Sequence, residues 1–315
     1  MNHGITAVIV TYQSEEEIGA CLEALKAYRL RAIVVDNASQ DGTVGVVRDA
    51  MARGADVKLV ANAENRGFAA AVNQGCSACE TPLVLLLNPD TRLVSDPNLL
   101  AAEFSHDRVG AASGPLLNAD GSAQAGFMVR RFPTALTLAF EVLGLNRILP
   151  SNRINQRWRC MDLDLSRPCN VEQRAGAFLM IRRAVWRDLG GFDEGFYPLW
   201  FEDVDFCFRL CAKKYYVRFV PSAVAKHTGA HSIRKIPVEF RLFYWYGSLL
   251  RYAAKHCRPY ARQLLCLAVV SGALARLVPE FIIHPGTKLL KIYGRIVRLA
   301  GRYLTGSQQS VERVS

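Results

Sequence analysis

The chain has 315 residues, half of them hydrophobic, so a sizeable core is easily built, which excludes a chain too poor in apolar residues to bury one. Its formal net charge is +11, but residues 1–205 carry a net −5 and residues 206–315 a net +16. Such asymmetry points the C-terminal third at an anionic partner, a membrane surface or a nucleic acid, with a solvated basic face as the plainer alternative. Met1–Val10 holds no long apolar stretch behind a basic start, so no secretory signal is expected. The nine cysteines are odd in number and scattered, and Cys76/Cys79 lacks a second pair at zinc-site spacing, which suggests the reducing cytosol.

Ile5–Val10 is a short β-rich run followed by Thr11, Tyr12, Gln13 and Ser14. Glu15, Glu16 and Glu17 open an amphipathic segment with Ile18, Cys21, Leu22 and Leu25 on one face; Ser14 is placed to cap it and the acids suit its positive end. Ala32–Val35 reads as a second strand ending in Asp36 and Asn37, and Val44–Met51 resumes helical spacing. Val57–Val60 is a third strand, followed by Asn65, Arg66, Gly67 and Phe68 and then by the small, helix-like Ala69–Cys79. Leu83–Leu87 is a fourth, an apolar run between Pro82 and Pro89 that reads as buried on both faces and ends in Asn88, Pro89, Asp90 and Thr91.

Strands alternating with helix-length segments imply right-handed βαβ units and a parallel sheet. The polar clusters after each strand then gather along one rim, where open α/β sheets bind ligands. A carboxylate there, such as Asp90, suits a divalent cation held against a diphosphate; a solvated Asp in an N-P-D turn is the plainer alternative.

Residues 92–170 are less legible. Arg108–Gly114 and Gly126–Arg131 suggest strands, Leu136–Leu145 a helix, and Ser151–Asn170 a polar loop. Ala175–Arg182 reads as a buried strand, and Gly190–Tyr197 as a Gly-rich aromatic loop. Glu202, Asp203 and Asp205 then lie near the start of a helix, where acids also simply favour the dipole. Tyr215–Val220 is a strand, and a further short run ends at His227, a residue type more often core or surface than ligand.

Val238–His256 is aromatic-rich and helical. Leu264–Ala275 is apolar but interrupted by Arg276, Pro279 and Glu280, too short to span a bilayer and closer to a buried or interfacial helix. His284–Tyr303 alternates Lys and Arg with aliphatics at helical spacing, and the last dozen residues read as frayed.

These parts match the needs of a transferase acting on a nucleotide sugar: a strand-edge pocket for the base, an acid for the nucleoside, a cation for the diphosphate and a general base for the acceptor hydroxyl. Mg²⁺ or Mn²⁺ would act as a Lewis acid on the leaving diphosphate. Arg66, or an Arg of the long loop, would offset developing charge. Asp203 or Glu202 would take the proton.

The sequence resembles the inverting glycosyltransferases of family 2, which have a GT-A fold, and within them the bacterial rhamnosyltransferase-like branch. The resemblance lies in AVIVTYQSEEEIGACLEAL (7–25), IVVDNASQDGT (33–43), NRGFAAAVNQG (65–75), LLLNPDT (85–91), GAFLMIRRAVWRDLGGFDEGFY (176–197), FEDVDFCFRL (201–210) and KHTGAHS (226–232). It implies that Thr11 and Tyr12 line the nucleobase pocket, that Asp36 and Asn37 contact the nucleoside, and that Arg66 and Gly67 lie along the nucleotide site. Asp90 takes the metal-binding place of a D-x-D motif whose first position here is Asn88, able to bind ribose or phosphate through its amide. Asp203 matches the catalytic base, with Glu202 beside it, and His227 matches a histidine that completes the metal site in some members.

The expectations are therefore an α/β GT-A domain over 1–235, with nucleotide (1–115) and acceptor (116–235) parts, a helical basic extension over 236–303 and a tail over 304–315. The expected reaction moves a sugar, best L-rhamnose from dTDP-rhamnose, to a glycan or a polyprenyl-diphosphate-linked acceptor, at the inner face of the plasma membrane, with anionic lipid as partner. A UDP-hexose donor and a non-catalytic nucleotide-binding module are the alternatives. Nucleic-acid binding lacks a motif, and a dehydrogenase lacks G-x-G-x-x-G after the first strand.

Overall fold

The computed structural model describes residues 4–229, 235–283 and 288–305. The chain begins β1 (Ile5–Thr11), α1 (Glu15–Ala27), β2 (Arg31–Asp36), α2 (Thr43–Ala52), β3 (Val57–Ala61), α3 (Phe68–Ser77) and β4 (Leu83–Leu87). Shorter pieces follow: β5 (Thr91–Leu93), α4 (Asn98–Ala101), β6 (Val109–Ser113), β7 (Leu116–Leu117) and β8 (Val129–Arg130). Three short helices, α5 (Ala135–Val142), α6 (Leu145–Ile148) and α7 (Arg153–Trp158), precede β9 (Cys169–Val171), β10 (Gln173–Arg174), β11 (Phe178–Arg182) and α8 (Arg183–Asp188). Then come α9 (Glu202–Ala212), β12 (Tyr216–Phe219), β13 (Ala225–His227) and three long helices, α10 (Val238–His256), α11 (Pro259–Ile283) and α12 (Lys288–Thr305).

The described residues divide into two compact units, one drawn from 1–130, 163–194 and 202–235 and the other from 131–162, 195–201 and 236–315. The first contains every strand. Its main sheet has the order β3-β2-β1-β4-β11-β6-β12-β9. Strands β3, β2, β1 and β4 are parallel, as the alternation of elements implies, and their apolar runs are continuous because β1, β2 and β4 are buried on both faces. Helix α3 lies so close to β1 that a Cβ at Gly75 would stand 2.5 Å from Val8 Cγ1.

Strand β11 runs antiparallel between β4 and β6, with Phe178 opposite Leu87. Its first residues therefore lie beside the carboxyl end of β4, on the rim where the parallel strands end. Direction is invisible in a run such as Phe178–Ile181, which is buried on both faces and reads alike either way. A second sheet, β5-β13-β7, sits at the same rim, with His227 opposite Thr91.

The second unit is helical, and in it residues 131–162 and 195–201 group with the C-terminal helices. Leu138 and Val142 of α5 are fully buried, and a Cβ at Gly272 would stand 2.3 Å from the Val142 carbonyl oxygen, so α5 and α11 approach at a distance only glycine permits. Arg276 does not interrupt α11: its Nη1 donates to the Gly272 carbonyl one turn earlier, at 2.9 Å, and to that of Val142. The helix thus runs 25 residues, and Pro259–Leu277 is long and apolar enough to cross a membrane by length and composition, with 28 % of that stretch buried. This corrects the reading of a run too short to span.

Within the same unit α10 holds the 195–201 segment. Ser248 Oγ donates to the Leu199 carbonyl at 2.9 Å, Tyr252 and Phe201 rings lie 5.4 Å apart, and Arg251 and Lys255 both sit over Phe196.

Two local readings also change. The 151–170 loop contains α7, capped by Asn152, whose side chain accepts from the Asn155 N–H at 2.9 Å; a six-residue helix is too short to show periodicity. Ser14 stands before α1 but its hydroxyl turns back to Tyr12 rather than capping the helix. The last three residues of KHTGAHS, residues 284–287 and the tail beyond 305 lie outside the described residues.

Candidate active site

One side of the rim is built from strand register. Thr11 lies opposite Asp36, so a hydroxyl and a carboxylate end neighbouring strands side by side. Thr11 Oγ1 donates to Asp36 Oδ1 at 2.9 Å, Ser39 Oγ donates to the same oxygen at 2.6 Å, and the Ser39 N–H donates to Oδ2 at 2.9 Å. Asp36 is buried but fully oriented, which a lone buried carboxylate would not be. Thr11 spends its hydroxyl on this task, and Tyr12 beside it is half-buried.

Asn37 organises the next loop. Its Nδ2 donates to the Gly67 carbonyl at 3.1 Å, and its Oδ1 accepts from the Arg66 N–H at 3.2 Å. Gly67 has φ +83°, a conformation glycine adopts without penalty, and leads into α3; the Arg66 side chain is exposed. The structure therefore gathers Thr11, Tyr12, Asp36, Asn37, Arg66 and Gly67 along one edge.

The second cluster forms where β4 ends. Pairing of β5 with β13 carries His227 to Asp90. The Gly229 N–H donates to Asp90 Oδ2 at 2.9 Å and the Thr228 N–H to the Asp90 carbonyl at 3.2 Å. That leaves Asp90 Oδ1 facing His227 Nε2 at 3.4 Å, with Asn88 Nδ2 also 3.4 Å from that nitrogen. Both Asp90 and His227 are buried, at 9 % and 4 % exposure. A carboxylate oxygen and an imidazole nitrogen, converging and otherwise held in place, fit a divalent cation such as Mn²⁺. Among the described residues no third His, Cys, Asp or Glu joins them, so a diphosphate or water would supply the remaining ligands.

The third cluster comes from α9. Asp203 Oδ2 accepts from the Gly176 N–H at 2.9 Å, and Oδ1 from the Val204 N–H at 2.8 Å. The carbonyl of the next residue, Ala177, accepts from the Asn88 N–H and from Thr91 Oγ1, each at 3.2 Å. The start of β11 thus ties the acid of α9 to the turn that carries Asp90. Burial pushes the Asp203 carboxyl up, against the Gly176 and Val204 N–H groups and the Arg130 charge that favour its ionised form.

Its neighbours differ. Glu202 is buried, its Oε2 has no hydrogen-bond partner among the described residues, and burial together with the Asp203 charge pushes its carboxyl well above the ordinary range. Of the two, Asp203 is the carboxyl held by backbone N–H groups, and Glu202 is the one that burial and a neighbouring charge push furthest up. Asp205 is fully buried and paired with Arg209 at 2.8 Å, and Arg209 in turn donates to the carbonyls of Leu189 and Gly191. This third acid braces the glycine-rich loop.

Sequence reasoning missed several partners. Asn73 of α3 clamps that same loop, accepting from the Phe192 N–H and donating to its carbonyl, both at 2.9 Å. Gln124, Phe127 and Arg130 surround the rim from the poorly legible 115–130 stretch: Gln124 touches His227 through both ends of its amide, and Phe127 stacks on the imidazole at 5.8 Å. The sequence suggests a strand over Gly126–Arg131, of which Val129–Arg130 forms β8, but it gives no sign that this stretch reaches His227. The C-x-x-C thiols are packing groups: both are buried, and burial pushes Cys79 up to about 11 and Cys76 higher than its ordinary value.

A model of the glycosyl transferase family 2 matches residues 6–190, and one of the glycosyl transferase family group 2 matches residues 158–280. N-acetylglucosaminyl-diphospho-decaprenol L-rhamnosyltransferase of Mycobacterium tuberculosis is 30 % identical over 255 residues, covering 75 % of this chain and 80 % of that protein. Rhamnosyltransferase WbbL of Escherichia coli strain K12 is 27 % identical over 176 residues, 55 % of this chain and 61 % of that protein. Among solved structures, mannosyltransferase PcManGT from Pyrobaculum calidifontis in complex with GDP-Man and Mn²⁺ superposes with a TM-score of 0.52 at 17 % identity, over 96 % of this chain and 88 % of that one. GalNAc-T7 with UDP, GalNAc and Mn²⁺ gives 0.54 at 13 % identity, over 78 % of this chain and half of that one. At such identities the two structures speak to the fold.

Proposed function

The chain belongs to glycosyl transferase family 2, and we propose that it moves L-rhamnose from dTDP-L-rhamnose to a sugar carried on a polyprenyl diphosphate, inverting the anomeric centre. It is a glycosyltransferase on a GT-A fold. The observation that carries the finer reading is the Gly176–Ala177 strut, which ties Asp203 to the Asn88–Thr91 turn, in a chain 30 % identical to a rhamnosyltransferase named for a decaprenyl-diphosphate acceptor.

Asp36 and Asn37 present the ordered loops that receive the nucleoside, and Arg66 lies along the diphosphate. Asp90 and His227 would hold Mg²⁺ or Mn²⁺. Such a cation, when bound, acts as a Lewis acid that neutralises charge on the leaving diphosphate. Asp203 takes the proton of the acceptor hydroxyl as that oxygen bonds to the anomeric carbon, while the bond from that carbon to the diphosphate breaks with its electron pair. The Gly176 and Val204 N–H groups aim the carboxylate for this step.

A lipid-linked acceptor sets a place for the reaction, the cytoplasmic face of the membrane. Tyr260, Leu264, Leu267 and Leu274 recur on one face of α11 and are 51–64 % exposed. On α12, Ile292, Ile296 and Leu299 are buried while Lys291 and Arg298 are exposed. An apolar stripe and an exposed basic face in one unit suit an anionic bilayer surface, the first by burial in the acyl boundary and the second by attraction to headgroups.

The test is a donor screen with the full chain, with and without Mn²⁺. Turnover of dTDP-L-rhamnose in preference to UDP-hexoses supports the reading. Turnover of a UDP-hexose alone overturns the donor, and binding of nucleotide sugars without any transfer overturns catalysis in favour of a binding module.

A further inference from the structure

We propose that Gln124 is a positioning residue for the cation site: its side-chain amide fixes His227 as the Nδ1–H tautomer and leaves Nε2 as the ring atom that ligates beside Asp90. The inference rests on reading Asp90 and His227 as cation ligands.

The orientation of the amide follows from its partners. Gln124 Nε2 lies 2.7 Å from the His227 carbonyl oxygen, which can only accept, so the NH₂ end is the end that faces it. The same nitrogen lies 3.0 Å from Asn118 Oδ1, and the Asn118 Nδ2 is committed to Ser122 Oγ at 2.9 Å. Gln124 Oε1 is therefore the atom that stands 3.1 Å from His227 Nδ1. An amide oxygen only accepts, so Nδ1 carries the hydrogen. In the neutral ring the lone pair is then on Nε2, which faces Asp90 Oδ1 and Asn88 Nδ2.

The other tautomer would set two lone pairs against each other at Gln124. It would also point an Nε2–H at Asp90 Oδ1, closing the pair with a hydrogen bond where the cation belongs. The choice of tautomer is thus the choice between a ligand and a plug.

The fold delivers Gln124 with little freedom. Strand β7 is parallel to β13, with Leu116 opposite Ala225. A turn follows in which the Gly121 N–H donates to the Asn118 carbonyl at 3.0 Å and the Asn118 N–H to that of Ser122 at 2.8 Å. The chain then returns, and the Gln124 N–H donates to the Leu116 carbonyl at 2.9 Å. Phe127 stacks on the imidazole, 8° from parallel, and the Arg130 guanidinium lies over the Phe127 ring at 5.9 Å. Backbone pairing sets the depth of the amide, and the stacked ring sets the plane of the histidine.

The experiment uses the full chain with ¹⁵N-labelled histidine. Long-range ¹H–¹⁵N spectra without metal report the His227 tautomer, and Mn²⁺ affinity is read from the electron paramagnetic resonance signal of free Mn²⁺ with nucleotide present. Wild type should show Nδ1–H. Gln124→Met should shift His227 toward Nε2–H and weaken Mn²⁺ about 10- to 100-fold, the usual cost of losing such a support. Gln124→Glu, which keeps an acceptor against Nδ1, should retain the tautomer and lie within about 10-fold of wild type. Metal-free nucleotide binding checks that each variant is folded. An unchanged tautomer and affinity in Gln124→Met overturns the role of Gln124. If wild type and His227→Ala bind Mn²⁺ equally, the cation-site reading itself falls, whatever the tautomer spectra show at Gln124.

Discussion

The Gly176 N–H donates to Asp203 Oδ2 at 2.9 Å, one residue ahead of the carbonyl that receives Asn88 and Thr91. Two acids from distant parts of the sequence, Asp90 and Asp203, are thus referred to the same short piece of backbone at the start of β11. Residue 176 is a glycine in a position where a Cβ would meet Asp203 only at ordinary contact, 3.6 Å, so the strut depends on its N–H and not on lack of space.

The pH profile should carry the mark of Asp203. Burial raises its carboxyl above the ordinary 3.8. A general base must be ionised, so activity is lost as pH falls through the raised pKa, and the acid limb of kcat at saturating donor should lie above the usual Asp range. A rate that stays flat down to pH values near 3.8 would contradict the assignment.

Glu202 should leave its mark on stability instead. Its folded-state pKa is raised well above the ordinary 4.5 by burial, so the folded chain binds that proton more tightly than the unfolded chain. Its contribution is therefore fully present below 4.5 and is lost as pH rises through the folded value. Glu202→Gln keeps a neutral, hydrogen-bonding side chain at all pH values. Denaturant titrations at stepped pH should show wild type losing stability relative to Glu202→Gln as pH rises above 4.5; parallel curves would show that Glu202 titrates normally.

Asp90→Ala should weaken donor binding in the presence of Mn²⁺ and leave the weaker metal-free binding nearly unchanged. Calorimetry with and without chelator separates the two. Equal loss under both conditions would mean that Asp90 contacts the nucleotide directly instead of through a cation.

On the helical unit, Leu264→Glu combined with Leu267→Glu places charge on the exposed stripe of α11 without touching a buried side chain. Co-sedimentation with vesicles rich in anionic lipid should fall, and binding by wild type should weaken with salt. Undiminished binding by the double variant would remove α11 from the docking surface.

Much of this was legible in the sequence for identifiable reasons. The runs Ile5–Val10, Ala32–Val35 and Leu83–Leu87 are largely apolar and buried, and the polar residues that follow them, Thr11, Asp36 and Asp90, fall on one rim because parallel strands all end there. The family resemblance then named Asp90, Asp203 and His227. Other features left no local trace. The reversed direction of β11 is hidden in a run that is apolar throughout, yet it creates the strut. Gln124 and His227 are 103 residues apart, and nothing in the neighbourhood of either announces the other. Arg276 reads as a helix breaker in an apolar run, but its guanidinium finds the carbonyls of Gly272 and Val142.

If Asp203 is the base of the glycosyl transfer, Asp203→Asn should separate transfer from donor binding. Asparagine keeps an oxygen for the Gly176 N–H but cannot accept the acceptor's proton. With dTDP-L-rhamnose, Mn²⁺ and a lipid-diphosphate acceptor, kcat should fall by about 10²- to 10⁴-fold while the donor Kd stays within about 3-fold of wild type, a change of less than ~1 kcal/mol. Transfer by Asp203→Asn at the wild-type rate would contradict the account.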